Sequence, residues 1–275
     1  MALFGFHFSN FDFPRTPLIF PVMKQARIVF ALLLIFAIPA LAKAPAYHYV
    51  APDSIDLKTY LSGPPAPGSA QNNADIQAVL ALQKSRTAFQ VGRVRSEVDL
   101  SPIAFDTVLG TGFNATNFPL TFALLNNAAS DGETISAAAK QFWNRPRPPL
   151  QNPAVHPAVP VPSSPSYPSG HAMRGALWAL ILVKMAPNLH EQLLARGAQI
   201  GHDRIIGGVH FPTDVAAGQK LGIVIAHRIM ESPSFQRDLA HAKVEFLRPL
   251  NSADMRSATW APGDLIETAP WQSWQ

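Results

Sequence analysis

The sequence predicts an all-α protein with a single compact helical domain, and three observations support this class. Apolar residues recur at helical spacing along most of the chain, and no stretch shows the sustained period-two alternation of a half-buried strand. Hydrophobic residues make up 48% of the 275 positions, enough to build a buried core. The domain is predicted over residues 45–275, of which residues 250–275 form a C-terminal tail.

Residues 1–44 have the features of an export signal. Two basic residues precede an apolar run from Ile28 to Leu41, and small residues around Ala42 offer cleavage sites. The run is shorter than the roughly 20 residues that a membrane-spanning helix needs, although an uncleaved anchor is the alternative. The residues before Met23 fit no part of a signal, so Met23 is a candidate start. We therefore expect a periplasmic or secreted protein.

The charge and cysteine content narrow the possible partners. The net charge is +4, but residues 1–44 contain four Lys/Arg and a single Asp, so no basic stripe remains and no nucleic-acid partner is expected. The chain has no cysteine, which excludes disulfides and thiol ligands. His190-Glu191 lacks the second histidine of a zinc-binding H-E-x-x-H motif, and no cofactor or metal is expected. A homo-oligomer remains open.

Two helices are predicted in the first half of the domain. After the Pro/Gly-rich segment Ser62 to Ser69, apolar residues recur at helical spacing from Asn73 to about Arg86. The second helix begins near Pro119, because proline suits a first helical turn, and continues to Trp143. The stretch Pro146 to Pro168 then contains nine of the 26 prolines, so it is predicted to be an irregular crossing without a helix and to form a substrate rim.

Four more helices are predicted in the second half. The first is apolar nearly all round and is stopped by Pro187, whereas the next is amphipathic. No apolar run after residue 44 is long enough to cross a bilayer, so the domain is expected to be soluble. The predicted bounds are His171 to Ala186, Asn188 to about Ile205, Asp214 to Glu231 and Ser234 to Leu247.

A first cluster of chemically useful residues is K-Q-F-W-N-R-P-R-P-P, starting at Lys140. Arg145 and Arg147 are each followed by a proline, which stiffens the chain, and a rigid guanidinium fork suits bidentate binding of phosphate oxygens. Lys140 at a helix end is explained equally well by the helix dipole. This cluster alone is weak support for an anion site.

The second cluster is P-S-G-H, where a helix begins. Its backbone N–H groups and positive dipole end favour an anion in front of the helix, and Gly170 permits close approach of that anion to the backbone. The Ser169 hydroxyl offers one more hydrogen bond, and His171 follows directly. The alternative is an ordinary N-cap serine with an incidental histidine.

The third cluster joins Arg204, His210 and Asp214. The four-residue step from His210 to Asp214 allows the carboxylate to fix the imidazole tautomer, which leaves the other ring nitrogen free to attack. The alternatives are that Asp214 serves only the helix N-terminus and that His210 is a loop histidine with satisfied hydrogen bonds. Together the three clusters supply cations, a helix N-terminus and two histidines, an inventory suited to phosphoryl transfer through histidine.

The order and spacing of these motifs resemble the type 2 phosphatidic acid phosphatase (PAP2) superfamily. The matching motifs are K-x6-R-P from Lys140, P-S-G-H ending at His171, and R-x5-H-x3-D from Arg204. Within that superfamily, the chain is most similar to bacterial class A non-specific acid phosphatases, through G-S-A-Q-N-N-A-D-I-Q-A-V-L from Gly68 and S-P-S-F-Q-R-D-L-A-H-A-K-V-E-F-L from Ser232.

The resemblance implies a metal-independent acid phosphatase of broad specificity with a PAP2/haloperoxidase-like helical fold. It makes His210 the nucleophile that forms a phosphohistidine, Asp214 its orienting carboxylate, and His171 the general acid and later the base. By the same resemblance, the groups expected to hold the phosphoryl oxygens are Lys140, Arg147, Ser169, the Gly170 backbone and Arg204. Protonated His171, favoured by phosphate-ester charge and nearby carboxylates, predicts an acidic pH optimum.

Two residues depart from the family pattern. Asp203 stands where the family usually has serine. Pointing inward, this carboxylate would weaken phosphate affinity or alter substrate choice, but we expect it to point outward as a solvated surface charge. Arg145 is an additional arginine, expected to support the site from behind or to face the substrate. Three alternatives to the phosphatase share its motifs: a vanadium-dependent haloperoxidase, a lipid-phosphate phosphatase, and a non-catalytic phosphate-binding protein. A serine hydrolase is disfavoured because Y-P-S-G-H is not G-x-S-x-G.

Overall fold

Residues 47–247 are the part of the chain that this computed structural model describes, and all regular structure within them is helical, as predicted. The predicted signal and the whole of the predicted tail, residues 250–275, lie outside the described residues. The longer helices are α1 (Ala70–Ser85), α2 (Ala88–Ser96), α3 (Pro119–Trp143), α4 (Gly170–Val183), α5 (His190–Ile206), α6 (Pro212–Met230) and α7 (Pro233–Phe246). Short helical turns lie at Pro52–Ser54, Leu57–Tyr60, Pro102–Phe105, Asp106–Leu109, Pro148–Gln151 and Pro187–Leu189.

Two features differ from the sequence-based expectation. Helix α2 was not predicted, because only Val94 of its nine residues is buried and its apolar pattern is correspondingly weak. The prediction that the proline-rich crossing contains no helix is wrong at one turn, Pro148–Gln151. Pro148 and Pro149 occupy the start of that turn, where a missing N–H costs no intrahelical hydrogen bond.

Helix α4 lies at the centre of the fold, between α5 and α6, which explains why its sequence is apolar nearly all round. The three helices approach closely at glycines. A Cβ atom on Gly175 would overlap the backbone carbonyl of Gly197 in α5, and one on Gly218 would overlap the carbonyl of Ser169. Only glycine permits this spacing, which fixes the N-terminal end of α4 against α6.

Helix α3 is fixed at its N-terminus by a carboxylate from α7. Glu245, which is buried, accepts hydrogen bonds from the backbone N–H groups of Leu120 and Thr121 at 2.9 and 2.8 Å. These donors have no partner inside the helix, and a negative charge is favourable at the positive end of the dipole. The C-terminal half of α3 carries Lys140 toward the start of α4.

None of the helices in residues 47–247 combines the length and the apolar character that crossing a membrane requires.

Candidate active site

A cavity of about 310 Å³ lies where the N-terminal end of α4, the C-terminal end of α5 and the loop before α6 meet α3. Six of the predicted site residues line it, whereas Asp214 lies behind His210 and Ser169 is fully buried at the start of α4. Pro162 and Ser164 show that the proline-rich crossing contributes to its wall, as predicted for a rim. The lining residues are Glu133, Ser136, Ala137, Lys140, Arg147, Pro162, Ser164, Gly170, His171, Arg174, Arg204 and His210.

His210 is buried and presents one ring nitrogen to the cavity cations. Its Nδ1 lies 3.4 Å from Oδ2 of Asp214, and its Nε2 lies 3.1 Å from Nη1 of Arg147. A guanidinium can only donate, so Nε2 carries the lone pair and Nδ1 carries the hydrogen that faces the carboxylate. Burial, reinforced by the charge of Arg147, lowers the pKa of His210 to about 3 against the opposing effect of Asp214. The imidazole is therefore neutral in the substrate-free protein.

Asp214 sits in the first turn of α6 and accepts hydrogen bonds on both oxygens. Oδ1 accepts from Nη1 of Arg145 at 2.6 Å, and Oδ2 accepts from the Ser166 hydroxyl at 2.5 Å and from the Phe211 N–H at 2.9 Å. Burial alone would raise the pKa of Asp214, but the hydrogen bond from His210, the Arg145 charge and the Phe211 N–H lower it. The carboxylate thus caps the helix and contacts the imidazole at once.

Arg145 holds this carboxylate from behind. Its Nη1 also donates to Oγ1 of Thr213 at 2.8 Å, and its Nη2 donates to Asn72 and Asp75 of α1 at 3.1 and 2.7 Å. Arg145 does not line the cavity. The expectation that Arg145 could face the substrate is wrong. The guanidinium pairs with the buried carboxylates of Asp75 and Asp214, and it lies on the side of Asp214 that faces away from His210.

Three predicted cations face the cavity, and they differ in how many of their N–H groups have hydrogen-bond partners. Arg147 is anchored by the carbonyls of Ser164 and Val209, each at 2.8 Å, and Lys140 donates to the carbonyl of Pro165 at 2.7 Å. Burial, reinforced by the nearby Arg147 charge, lowers the pKa of Lys140 to about 7.

Arg204 carries unused donors. It is only 2% exposed, and its Nε and Nη1 have no hydrogen-bond partner among the described residues. Buried donors of this kind are normally satisfied, so Arg204 points to an anion as the missing acceptor.

The start of α4 combines a conventional cap with an open backbone. Ser169 is the N-cap residue, and its hydroxyl oxygen accepts from the Ala172 N–H at 3.4 Å. Gly170 lines the cavity, and a Cβ atom built there would meet no other atom within 4 Å. Packing therefore leaves room for a side chain at this position, and glycine leaves that space to a bound anion.

His171 is held by a backbone carbonyl rather than a carboxylate. Its Nε2 lies 2.9 Å from the Glu97 carbonyl oxygen, and its Nδ1 lies 3.5 Å from Nη2 of Arg174. Since the carbonyl only accepts, Nε2 bears a hydrogen and Nδ1 is the nitrogen left for acid–base work. Burial, followed by the charges of Arg204 and Arg174, lowers the pKa of His171 well below its ordinary value. The expectation that nearby carboxylates favour protonated His171 is therefore wrong.

Asp203 neither faces the cavity nor reaches solvent. The side chain is fully buried, and Arg93 of α2 binds both of its oxygens, from Nε at 2.7 Å and Nη2 at 2.8 Å. The expectation of a solvated surface charge is wrong because α2, which the sequence did not predict, supplies the partner.

Four further residues at the site were not singled out from the sequence: Glu133, Ser164, Ser166 and Arg174. Two of them carried a recognisable signal. Arg174 follows His171 by three positions, which places both on one helix face, and Glu133 precedes Lys140 by seven positions on α3. Ser164 and Ser166 lie in an irregular segment, where no periodicity indicates direction. Within residues 47–247 no group of three or more His, Asp or Glu side chains is placed to hold a metal ion.

The site and the fold together define a class: a helical anion-binding enzyme with a carboxylate-paired imidazole, a second imidazole and a set of cations. Residues 119–238 match the PAP2 superfamily. The chain is 30% identical to a non-specific acid phosphatase of Salmonella typhimurium over 232 residues, which cover 81% of this chain and 93% of that protein. The chain belongs to the PAP2 superfamily.

Two further proteins are similar to this chain. An acid phosphatase of Zymomonas mobilis is 27% identical over 233 residues, covering 80% of this chain and 83% of that protein. A transmembrane PAP2-type phosphatidylglycerolphosphate phosphatase from Bacillus subtilis, a solved structure, is 24% identical with a TM-score of 0.45, covering 59% of this chain and 86% of that chain.

Proposed function

We propose that this PAP2 phosphatase is an acid phosphatase of broad specificity, which hydrolyses phosphate monoesters through a phosphohistidine at His210 without a metal ion. The observation that carries the proposal is the neutral imidazole of His210, whose lone pair faces a cavity lined by Lys140, Arg147 and Arg204. Relatives named as acid phosphatases over most of the chain support the same activity.

In the first step, the phosphoryl oxygens bind the three cations and the Gly170 N–H, with Ser169 supporting that end of α4. Nε2 of His210 attacks phosphorus, the N–P bond forms, and the bond to the ester oxygen breaks. Asp214 stabilises the hydrogen on Nδ1 as positive charge develops on the ring. Nδ1 of protonated His171 gives its proton to the leaving alkoxide.

In the second step, His171 acts as a base. Its Nδ1, now neutral, accepts a proton from a water molecule as the water oxygen attacks phosphorus. The N–P bond breaks, inorganic phosphate leaves, and His210 returns to its neutral state. The fixed cations stabilise the equatorial oxygens in both steps, and this is the charge that a metal ion would otherwise supply.

The test is turnover of a phosphomonoester panel by residues 45–275, with and without chelator, combined with trapping of the intermediate. We expect an alkaline quench during turnover to preserve a phosphorylated peptide at His210, and His210→Ala to fold but lose both turnover and the adduct. Wild-type turnover in His210→Ala, or complete loss of activity in chelator, would refute the mechanism. Halide oxidation with vanadate and peroxide would instead favour the haloperoxidase.

We also propose that the protein works in the periplasm or outside the cell, as the composition of residues 1–44 indicates. Cell fractionation of the full chain tests this, and activity confined to the cytosol would contradict it.

A further inference from the structure

Arg174 is a fourth cation in the cavity, which the chemistry proposed above does not use. It lies on α4 one turn after His171, and its Nη2 is 3.5 Å from His171 Nδ1. Its Nη1 donates to the Leu100 carbonyl at 3.2 Å and lies 3.3 Å from Oε1 of Glu133. Its Nε is buried without a hydrogen-bond partner among the described residues.

The position of Arg174 indicates which part of a substrate it meets. Arg147 contacts His210, the nucleophile, whereas Arg174 contacts His171, the proton donor. In an in-line displacement, the attacking and leaving atoms lie on opposite sides of phosphorus. A cation beside the proton donor therefore faces the leaving group, while the other cations and the start of α4 hold the phosphoryl group being transferred.

We propose that Arg174 is a specificity-determining residue that binds an anion carried by the leaving group, so that the enzyme prefers diphosphates over monoesters of neutral alcohols. The proposal rests on the proposed function, because it requires His171 to be the proton donor. In a diphosphate the leaving group is itself a phosphate, and its free oxygens are attached to the phosphorus next to the bridging oxygen.

The distances suit this arrangement. A bridging oxygen that accepts a proton from His171 Nδ1 lies about 2.8 Å from that nitrogen, and Arg174 Nη2 is 3.5 Å from the same atom. During the reaction the bond from His210 Nε2 to one phosphorus forms and the bond from that phosphorus to the bridging oxygen breaks. The bridging oxygen takes the proton of His171, and the other half departs as inorganic phosphate.

Glu133 should weaken the binding of a leaving-group anion to Arg174, a position that we call the leaving-group subsite. Among the described residues that line the cavity, Glu133 is the one carboxylate, and its side chain is 56% exposed against 18% for Arg174. An ion pair with one member so exposed is weak, so a substrate phosphate with two charges can displace it. While Glu133 remains, it repels the same anion. Removing its charge should therefore strengthen the preference that removing Arg174 weakens.

The experiment compares kcat/KM for inorganic pyrophosphate with kcat/KM for phenyl phosphate at one pH, using only hydrolysis that His210→Ala abolishes. The pyrophosphate-to-phenyl phosphate ratio should fall roughly tenfold to a hundredfold in Arg174→Met, the range expected for a lost hydrogen bond between charged groups. The ratio should rise in Glu133→Gln. It should not change in Arg228→Met, a control that removes an exposed arginine paired to Glu231 at 3.0 Å.

An unchanged ratio in a folded Arg174→Met variant would overturn the proposal, whatever the ratio in Glu133→Gln. If Arg174→Met does not fold, the Glu133→Gln variant decides alone. A raised pyrophosphate-to-phenyl phosphate ratio would support the proposed role of Arg174, and an unchanged ratio would refute it. Failure of the proposed function has a different signature, since His210→Ala would then retain hydrolysis of phenyl phosphate whatever the ratio.

Discussion

Nη1 of Arg147 lies 3.1 Å from Nε2 of His210, the nitrogen that we propose as the nucleophile. In the substrate-free protein, a cation that we propose to bind phosphate thus occupies the lone pair that must attack. A phosphate oxygen is a stronger acceptor for a guanidinium than a neutral imidazole is. We therefore expect substrate binding to draw the N–H of Arg147 away from His210 and to expose the lone pair, so that the proposed nucleophile becomes available when phosphorus is in place.

Removing the Arg147 charge should affect both roles. We expect Arg147→Met to raise the pKa of His210, since a repelling charge is lost, and to lower kcat/KM by roughly 10²–10³, as for loss of one transition-state donor. NMR titration of the ring and steady-state kinetics measure the two effects. A variant with wild-type kcat/KM would show that this guanidinium is dispensable.

The enzyme should be most active at acidic pH. His210 is neutral above a pKa of about 3, and His171, whose pKa lies well below its ordinary value, is protonated in the free protein only at acidic pH. The kcat/KM profile should therefore be bell-shaped, with its alkaline limb below pH 6.5. A bound phosphate dianion offsets the positive charges of Arg204 and Arg174, which lower the pKa of His171 in the free protein. The pKa of His171 should therefore be higher in the enzyme–substrate complex, and the alkaline limb of kcat should lie at higher pH than that of kcat/KM. Activity that increases steadily above pH 8 would contradict both expectations.

Local sequence patterns were sufficient for most of the fold. Helix α4 is apolar nearly all round because it packs against α5 and α6 on two sides, and its composition therefore predicted a buried helix. Helix α2 shows no comparable apolar pattern, since only Val94 of its residues is buried. Its capping box, in which Thr87 and Gln90 bond each other's backbone N–H, was the available signal.

The cavity residues were predictable because they lie within short motifs, whereas their supporting contacts were not. Arg93 and Asp203 are 110 positions apart, and Arg145 is 70 positions from Asp75. No periodicity or motif relates residues at such separations. The sequence therefore located six residues that line the cavity, but not the ion pairs that lie behind them, and both errors over Asp203 and Arg145 have this origin.

Arg145 should contribute to stability and to the rate through Asp214. Arg145→Met leaves Asp75 and Asp214, which are 1% and 0% exposed, without their arginine. We expect the free energy of unfolding to fall by about 3–5 kcal/mol, the cost of breaking a buried pair. The rate constant kcat should fall more than KM rises, because the guanidinium orients Asp214 and does not line the cavity.

A double variant separates the two effects of Arg145. Adding Asp75→Asn removes one of the two unpaired charges and should recover part of the unfolding free energy. It should not recover kcat, because Oδ1 of Asp214 still lacks its donor. If kcat returns together with stability, Arg145 acts only as a structural residue.

The buried pair of Asp203 with Arg93 should stabilise the fold without changing phosphate affinity. We expect Asp203→Asn to lower the free energy of unfolding by about 2–3 kcal/mol, at or below the lower end for buried pairs because Arg93 is 19% exposed. KM for a phosphomonoester should stay at the wild-type value, since Asp203 does not line the cavity. Chemical denaturation and steady-state kinetics on the same preparation test this. A lower KM would mean that the carboxylate weakens the cationic field in the cavity, and would restore Asp203 as a determinant of substrate binding.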